Sequence, residues 1–293
     1  MAPEQKEKGG RNIDTDYGLG PVETLLSVDE VERQASRLAG GEGPDNARLF
    51  ELVGGEPLLT IEKLKAGYGK MVVLHQFDLQ VGPGQSLCLI GPNGAGKSTV
   101  LHSIYGFTSI KSGKIKIREN DVTDLSPNDK LKKSGIAYIL QDKSIFPDMT
   151  VEENLLMGGF LLDKPSQARE AAERVLDKHP KLKERRSQPA GVLSGGERRL
   201  LEITRALIMD PEILLVDEPS IGLEPRFIEA VFEILSDLQV NEGKTIIMVE
   251  QNAKKGLDFA DIGYVLVSGQ LVMAGRGDEL LEDPDVGKLF LGG

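Results

Sequence analysis

The feature that most constrains this chain is a glycine-rich segment between a short apolar run and a helix start. From Leu89 to Val100 the sequence reads LIGPNGAGKSTV, which contains the spacing Gly-x4-Gly-Lys-Ser. Residues 86–90 predict a short buried strand, and residues from Lys97 onward predict a helix. A strand, a glycine loop and a helix in this order form the context that a phosphate-binding loop requires.

The chemistry of such a loop follows from its backbone. Glycines allow tight turns that point successive N–H groups toward phosphate oxygens. The N-terminus of the following helix adds the positive end of its dipole. Lys97 would then reach the β- and γ-phosphates of a nucleotide, and the hydroxyl of Ser98 would ligate Mg2+. The other interpretation, a glycine-rich turn without a ligand, is weakened by the rest of the chain.

Two acidic residues follow the most apolar strand candidate. Residues 213–216 are Ile-Leu-Leu-Val, and Asp217 and Glu218 come directly after them. Behind a phosphate loop, Asp217 would hold the Mg2+ shell together with Ser98, and Glu218 would polarise the attacking water. Helix capping at the end of a strand is the structural alternative for this pair.

Composition and charge exclude several classes of protein. The net charge of −11 argues against a general binder of nucleic acid or anionic lipid. No apolar run approaches the roughly 18 residues of a membrane span, and no secretory signal is recognisable at the N-terminus. The single cysteine, Cys88, predicts a small core residue in a reducing compartment. His75, His102 and His179 lack ligand spacing, so a metal site made of protein side chains alone is not predicted.

An extension over 1–56 is predicted to precede the globular domain. Its first residues, 1–20, are polar and glycine-containing and predict disorder. Short helices are predicted over Val28–Leu38 and Ala47–Val53, each followed by a pair of glycines. Because helices this short are marginal alone, a loosely attached extension is favoured over a docking or regulatory segment.

The domain over 57–293 is predicted to be α/β with a helical insertion. The predicted strands are Leu59–Ile61, Phe77–Val81, Lys114–Arg118, Ile136–Leu140, Ile213–Val216 and Thr245–Val249, followed by a hairpin over Tyr264–Ala274. The predicted helices of the insertion are Val151–Phe160, Ser166–His179 and Arg198–Met209. This pattern divides the domain into a core (57–141 and 211–275), a helical subdomain (142–210) and a C-terminal tail (276–293).

Four segments, in their order and spacing, resemble the nucleotide-binding subunit of an ATP-binding-cassette (ABC) transporter. They are Gly91–Thr99, Gln141, Leu193–Glu197 and Ile213–Pro219. The resemblance runs roughly from Pro57 to the C-terminus. Its most specific part is the Ser-Gly-Gly sequence, which other phosphate-loop enzymes lack at this place. The resemblance implies a P-loop NTPase fold: a RecA-like core with a mostly parallel sheet, an antiparallel β subdomain and an inserted α-helical subdomain.

The resemblance also implies a role for each matching residue. Tyr68 would stack on adenine, although without the later motifs a packing tyrosine would fit equally. Gln141 would sense Mg2+ and the attacking water, Asp217 would hold the metal with Ser98, and Glu218 would be the general base. The phosphates would be held by Gly91, Pro92, Asn93, Gly94, Ala95, Gly96, Lys97, Ser98 and Thr99.

A second set of residues would act across a dimer. Ser194, Gly195 and Gly196 would contact the γ-phosphate of the opposite subunit, and Ser220–Pro225 would meet its counterpart there. ATP would therefore join two such domains head to tail, and hydrolysis would release them.

Three positions depart from the usual pattern of the superfamily. Gln251 stands where histidine is common, Glu224 where aspartate is usual, and Glu197 where glutamine follows Ser-Gly-Gly. An amide can hydrogen-bond the γ-phosphate but carries no proton at neutral pH. Gln251 is still included among the predicted catalytic residues, as a hydrogen-bonding group.

The departures point to a subgroup of the family. Segments 249–253 (VEQNA), 150–155 (TVEENL), 157–160 (MGGF) and 291–293 (LGG) are similar to the ATPases of branched-chain (hydrophobic) amino-acid importers, where glutamine at the position of Gln251 is usual. Importers of urea or short amides share much of this pattern. The extension over 1–56 and the segment 141–146 are less typical and leave the substrate open.

The function implied by the resemblance is an ATP-hydrolysing, Mg2+-dependent subunit on the cytoplasmic face of the cell membrane. Its expected partners are membrane permease subunits, a second ABC ATPase (a different chain, with a homodimer as the alternative) and indirectly a solute-binding protein, but not nucleic acid. Two alternatives stay open. One is a soluble, non-transport ABC ATPase, and the other is a non-catalytic scaffold, against which intact Lys97, Asp217 and Glu218 argue.

Overall fold

The computed structural model describes residues 43–141 and 144–291. The helix predicted over Val28–Leu38 and the disorder predicted for 1–20 lie outside these residues. In the described part of the chain, two β-sheets and a set of helices build three hydrophobic clusters. No helix of this part is long and apolar enough to cross a membrane.

The two sheets differ in the direction of their strands. The antiparallel sheet has the order β2-β1-β4-β5, with β1 (Leu59–Tyr68), β2 (Met71–Val81), β4 (Ser109–Ile117) and β5 (Asn120–Asp121). The second sheet has the order β10-β9-β3-β8-β7-β6, with β3 (Ser86–Ile90), β6 (Ile136–Ile139), β7 (Ile213–Asp217), β8 (Thr245–Val249), β9 (Ile262–Val267) and β10 (Gln270–Arg276). All its pairs are parallel except the hairpin of β9 and β10.

The helices of the described chain connect and cover these sheets. They are α1 (Asn46–Val53), α2 (Lys97–Tyr105), α3 (Pro127–Ser134), α4 (Val151–Gly158), α5 (Pro165–Lys178), α6 (Pro180–Glu184), α7 (Gly195–Ala206), α8 (Pro225–Val240), α9 (Ala253–Phe259), α10 (Gly277–Glu282) and α11 (Pro284–Val286). Single 3-10 turns lie at Ala190–Val192 and Leu207–Met209, and a π turn lies at Gly287–Leu291. Thr150 and Glu153 form a capping box at the start of α4, because they exchange both hydrogen bonds.

Side-chain alternation in β3 shows how the sheet divides the core. Leu87 and Leu89 belong to the first cluster, in which α2 contacts strands of both sheets. Cys88 and Ile90 face the opposite side and belong to the second cluster, with α8 and α9. Both faces of a parallel sheet are therefore buried, as its connections require. The third cluster holds α4, α5, α6 and α7 together.

The hairpin of β1 and β2 is longer than the sequence predicts. The predicted strands Leu59–Ile61 and Phe77–Val81 are too short, since pairing continues to Tyr68 and Met71. Register shifts along β1 interrupt its alternation of buried and exposed residues, which hides the strand in the sequence. A Cβ on Gly67 would lie 2.1 Å from the carbonyl oxygen of Met71, so this close approach requires glycine.

Helix α1 corrects the interpretation of the extension as loosely attached. Leu49 is fully buried in the first cluster. The side-chain amide of Gln85 donates to the carbonyl oxygens of Leu52 and Val53, and Arg48 forms an ion pair with Glu279. Tertiary packing stabilises a helix that would be marginal alone. Residues 46–53 are therefore attached to the domain.

We expect Leu49→Ala to lower the free energy of unfolding by about 2–5 kcal/mol, because it leaves a cavity in the core. Phe50→Ala is the matched control in the same helix, since that side chain is 47% exposed, and it should cost about 1 kcal/mol or less. Urea unfolding of the full chain measures both values. Equal losses for the two variants would contradict the packing of α1.

A buried lysine holds the C-terminal end of α2, the helix that follows the phosphate loop. Lys130 on α3 is fully buried, and its ammonium donates to the carbonyl oxygen of Ile104 at 2.7 Å and, more weakly, to that of Ser103 at 3.4 Å. Burial lowers the pKa of Lys130 to about 8, although the charge of Asp124 opposes the shift.

The free energy of unfolding should therefore depend on pH through Lys130. Its pKa is lower in the folded state than the usual value of about 10.4 in an unfolded chain. The unfolded state then binds more protons between these pKa values, so this lysine makes the fold more stable as pH rises. We expect the advantage of the wild type over Lys130→Met to grow between pH 7.5 and 10. A difference that stays constant with pH would contradict this.

Candidate functional site

The predicted site residues follow neighbouring parallel strands. The phosphate loop follows β3, Gln141 lies just beyond β6, Asp217 ends β7 with Glu218 next, and Gln251 lies just beyond β8. Carboxyl ends of parallel strands lie at one edge of a sheet, where ligands of such folds bind. Strand pairing therefore brings together residues that are far apart in the sequence.

The phosphate loop has the backbone that its glycines predict. Gly91, Gly94 and Gly96 have φ angles of 146°, 79° and 101°. Residues with a side chain rarely adopt such values. The ammonium of Lys97 donates to the carbonyl oxygens of Gly91 at 2.8 Å and Pro92 at 3.0 Å. Burial lowers the pKa of Lys97, while the charges of Glu218 and Asp217 raise it. Lys97 therefore lies folded back over its own loop, beside both carboxylates.

Asp217 connects the loop to the sheet. The hydroxyl of Ser98 donates to its Oδ1 at 3.2 Å, and the hydroxyl of Tyr138, on β6, donates to its Oδ2 at 2.8 Å. The residue is 5% exposed. Both carboxylate oxygens therefore have a donor, and the carboxylate is fixed beside the first turn of α2.

Glu218 has an unusual backbone. Its φ is 45°, in the left-handed region that costs a residue with a side chain about 1 kcal/mol or more. Its N–H donates to the carbonyl oxygen of Val249 at 2.8 Å, and its Oε2 accepts from the side-chain amide of Gln141 at 2.8 Å. Burial and the neighbouring charge of Asp217 raise the pKa of Glu218, and Lys97 lowers it. The surrounding contacts maintain this strained orientation.

Tyr68 lies near the loop but makes a contact that the sequence does not predict. Its hydroxyl is 2.5 Å from Nδ1 of His102 on α2, and the two rings meet edge to face with centroids 6.0 Å apart. His102 also contacts the rings of Phe107 and Tyr138. Burial lowers the pKa of His102, which favours the neutral ring. Tyr68 remains 39% exposed, so part of its ring is available for stacking.

The Ser-Gly-Gly residues are not brought to the loop of the same chain. Ser194 caps α7, and in the described part of the chain its side chain hydrogen-bonds only Glu197. A Cβ on Gly196 would lie 2.2 Å from the ring of Phe227, so α7 and α8 pack closely there. Gln251 is exposed, next to the buried Glu250. The Ser-Gly-Gly residues lie toward a surface and do not complete the loop's own site.

Four polar residues of this region are absent from the sequence-based site: Tyr138, His102, Arg199 and Glu250. Tyr138 had a signal, since a phenol in a buried strand needs a hydrogen-bond partner. His102 also had one, because it lies four residues after Ser98 and shares its helix face. Glu250 is 1% exposed and accepts from the hydroxyl of Ser220 at 2.7 Å, which no local pattern indicates.

The arrangement defines a class of protein. The phosphate loop follows one parallel strand and the carboxylate pair follows a nearby one, and the helical subdomain is inserted between these strands in the sequence. These are the parts of a P-loop ATPase. The family model described as ABC transporter matches residues 74–221.

Relatives and solved structures agree with this class. The chain is 42% identical to the branched-chain amino acid transport ATP-binding protein BraG of Pseudomonas aeruginosa, over 80% of this chain and 100% of that protein. It is 37% identical to a probable branched-chain amino acid transport ATP-binding protein, LivF, of Archaeoglobus fulgidus, over 80% and 99%. A solved ADP conformation of an ABC transporter's ATP-binding cassette matches with a TM-score of 0.71 and 29% identity, over 82% of this chain and all of that one.

The chain therefore belongs to the ABC transporter family. It is an ATPase, its domain binds nucleotide, and subunits of this kind work with membrane permease components. The predicted α/β P-loop NTPase fold is confirmed.

We expect Tyr68→Ala to raise KM for ATP by about 5- to 100-fold, the range given by one aromatic stacked on a base. Tyr68→Phe keeps the ring and loses only the hydroxyl that meets His102, so its KM should rise less. Steady-state ATPase assays on the full chain measure both. A Tyr68→Ala variant with unchanged KM would show that Tyr68 serves packing and not base stacking.

Proposed function

We propose that this chain is the ATP-hydrolysing subunit of a membrane importer for branched-chain amino acids. The observation that carries the enzymatic part is the hydrogen-bonded cluster of Ser98, Asp217, Gln141 and Glu218 beside Lys97. The transported class is supported by the names of the relatives from Pseudomonas aeruginosa and Archaeoglobus fulgidus, whose lengths the chain covers almost completely. The ATPase would lie on the cytoplasmic face, held there by permease subunits.

The residues present fit a Mg2+ ion. The hydroxyl oxygen of Ser98 and Oδ1 of Asp217 lie 3.2 Å apart, and hard cations prefer oxygen ligands of this kind. The amide nitrogen of Gln141 bonds Glu218, the residue after Asp217, and its side-chain oxygen would be a further ligand of this kind. When bound with the nucleotide, Mg2+ neutralises charge on the phosphates.

The proposed steps follow from the chain's own groups. N–H groups of the loop and the ammonium of Lys97 bind the phosphates. To do so, Lys97 leaves the carbonyl oxygens of Gly91 and Pro92 and donates to phosphate oxygens instead. Glu218 takes the proton of the attacking water, and its raised pKa suits a base working near neutral pH. Gln141 orients that carboxylate by the bond they share. Gln251 donates a hydrogen bond to the γ-phosphate without proton transfer.

The orientation of Ser194–Gly196 supports a dimeric site. These residues are open to the surface, so a second ATPase subunit would supply the loop and nucleotide that they contact. We propose a heterodimer, with a homodimer as the alternative.

An apolar surface on the helical subdomain supports the permease as a partner. Phe146, Met157 and Phe160 of this subdomain are exposed, Phe160 by 78%, and so is Leu140 at the adjoining end of the core. Arg205 lies 5.8 Å from the centre of the Phe146 ring. A permease segment that covers these side chains would connect movement of the helical subdomain, predicted over 142–210, to transport.

We expect Glu218→Gln to lower kcat for ATP hydrolysis by about 100- to 10,000-fold, because the variant loses a general base. The amide keeps the shape of the side chain, so nucleotide binding should persist. Lys97→Ala is the comparison, since it should lose ATP affinity. Single-turnover hydrolysis and nucleotide binding by the full chain separate the effects. Unchanged hydrolysis in Glu218→Gln would refute its assignment as the base.

The transporter part is tested by purifying the tagged chain from detergent-solubilised membranes of its native host. We expect polytopic permeases, a second ABC ATPase and a solute-binding protein in the complex. That binding protein should gain thermal stability with leucine, isoleucine or valine, but not with urea or acetamide. A response to urea or acetamide alone would move the function to amide import. Recovery of soluble partners alone would support a non-transport ABC ATPase.

A further inference from the structure

A buried arginine connects α7 to both catalytic strand ends. Arg199 is 5% exposed and lies on the helix that Ser194 caps. Its neighbour Arg198 is exposed and donates to the carbonyl oxygens of Gly191 and Leu193, which lie just before that helix. A charged group is rarely buried without a specific partner, so Arg199 requires a separate explanation.

The guanidinium of Arg199 contacts the main chain at the ends of two strands, β6 and β7. Nη1 donates to the carbonyl oxygen of Leu140 at 2.7 Å and to the carboxylate of Glu202 at 2.8 Å. Nη2 lies 3.4 Å from the carbonyl oxygen of Asp217, which is a weaker contact. The side chain of Glu202 is 10% exposed, so it neutralises the charge inside the protein.

Both carbonyl groups precede catalytic residues. The Leu140 carbonyl belongs to the peptide bond that leads into Gln141, and the Asp217 carbonyl to the one that leads into Glu218. The N–H of Glu218 bonds Val249, so the peptide between Asp217 and Glu218 is held at both of its polar atoms. This peptide sets the left-handed backbone of Glu218. Arg199 therefore contacts the main chain that orients the base and its amide partner.

The donor Nε of Arg199 is buried and has no hydrogen-bond partner among the described residues. A buried donor without an acceptor is uncommon and requires a reason. The position of the guanidinium is thus set by its contacts with Leu140, Asp217 and Glu202, and in this position its Nε–H finds no acceptor among the described residues. Such an arrangement is expected where geometry at a site matters more than stability.

We propose that Arg199 is a positioning residue that couples the Ser-Gly-Gly helix of a chain to the catalytic geometry of that chain's own site. This inference rests on the proposed function, in which Ser194 meets nucleotide held by the opposite subunit. Ser194 and Arg199 lie about 7.5 Å apart along the axis of one helix. When Ser194 contacts the nucleotide of the opposite subunit, a displacement of α7 would therefore move the peptides before Gln141 and Glu218 in the chain's own site.

The chemistry of arginine suits this position. Its planar guanidinium offers donors in several fixed directions and stays charged. Lysine carries a single nitrogen, which cannot bond Leu140, Asp217 and Glu202 with the same geometry. Glutamine loses both the charge and the reach.

The test compares ATP hydrolysis by the wild type, Arg199→Lys and Arg199→Gln in the full chain and in its membrane complex. We expect kcat to fall about 10- to 100-fold in Arg199→Gln, as for a small misplacement of catalytic groups, with KM and ATP binding little changed. Arg199→Lys should recover part of kcat. In the complex, cooperativity in ATP should weaken. Arg174→Gln, on the exposed face of α5, is the matched control and should match the wild type.

Glu202→Gln separates positioning from folding, because it removes the charge partner while Arg199 keeps its carbonyl bonds. It should lower the unfolding temperature but retain most of kcat. A folded Arg199→Gln with wild-type kcat and cooperativity would overturn the inference. The inference would also be overturned if Arg199→Gln lost ATP affinity and kcat equally. The same holds if kcat fell in proportion to stability in both Arg199→Gln and Glu202→Gln. Hydrolysis by the wild type but not Lys97→Ala establishes the ATPase independently, and transport of another solute would overturn only the proposed substrate.

Discussion

The pairing of β7 with β6 and β8 is the constraint on which the site depends. In this register Val216 is opposite Ile139, and Asp217 is opposite Val249. A shift by one residue would turn every side chain of β7 to the other face of the sheet. Asp217 would then leave Ser98, and the N–H of Glu218 would lose its acceptor. The four apolar residues 213–216 of β7 specify that the strand is buried, and its pairing with β6 and β8 specifies the register.

The sequence predicts those parts of the site whose geometry is local. Gly91 and Gly96 fix turns within a few residues, and the strand before them and the helix after them follow from local patterns. Contacts between distant residues are different. Tyr138 and Asp217 are separated by 79 residues, and Arg199 and Leu140 by 59. These two contacts depend on the order of the strands and the placement of the helices, which the spacing of residues in the sequence does not reveal.

Local patterns also fail where tertiary packing changes their meaning. The register shifts in β1 break the alternation that identifies a half-buried strand, so its second half looks like a loop. The helix around Leu49 is too short to be stable by itself, yet burial of that side chain and bonds from Gln85 hold it on the domain. In both cases the stabilising partners lie elsewhere in the chain.

The hydroxyl of Ser194 caps α7, and the proposed contact with a nucleotide would use the same group. At present it donates to the carboxylate of Glu197, whose pKa is lowered by hydrogen bonds from the backbone N–H and the hydroxyl of Ser194. A phosphate at the same place would compete for this hydrogen and would be repelled by the charged carboxylate. Arg185 lies 3.1 Å from Glu197 and offsets that charge. In the proposed contact Ser194 would turn from Glu197 toward the phosphate, while Arg185 would keep the carboxylate paired. The same helix also carries Arg199, so binding at its N-terminus would act on an element that contacts the peptides before Gln141 and Glu218.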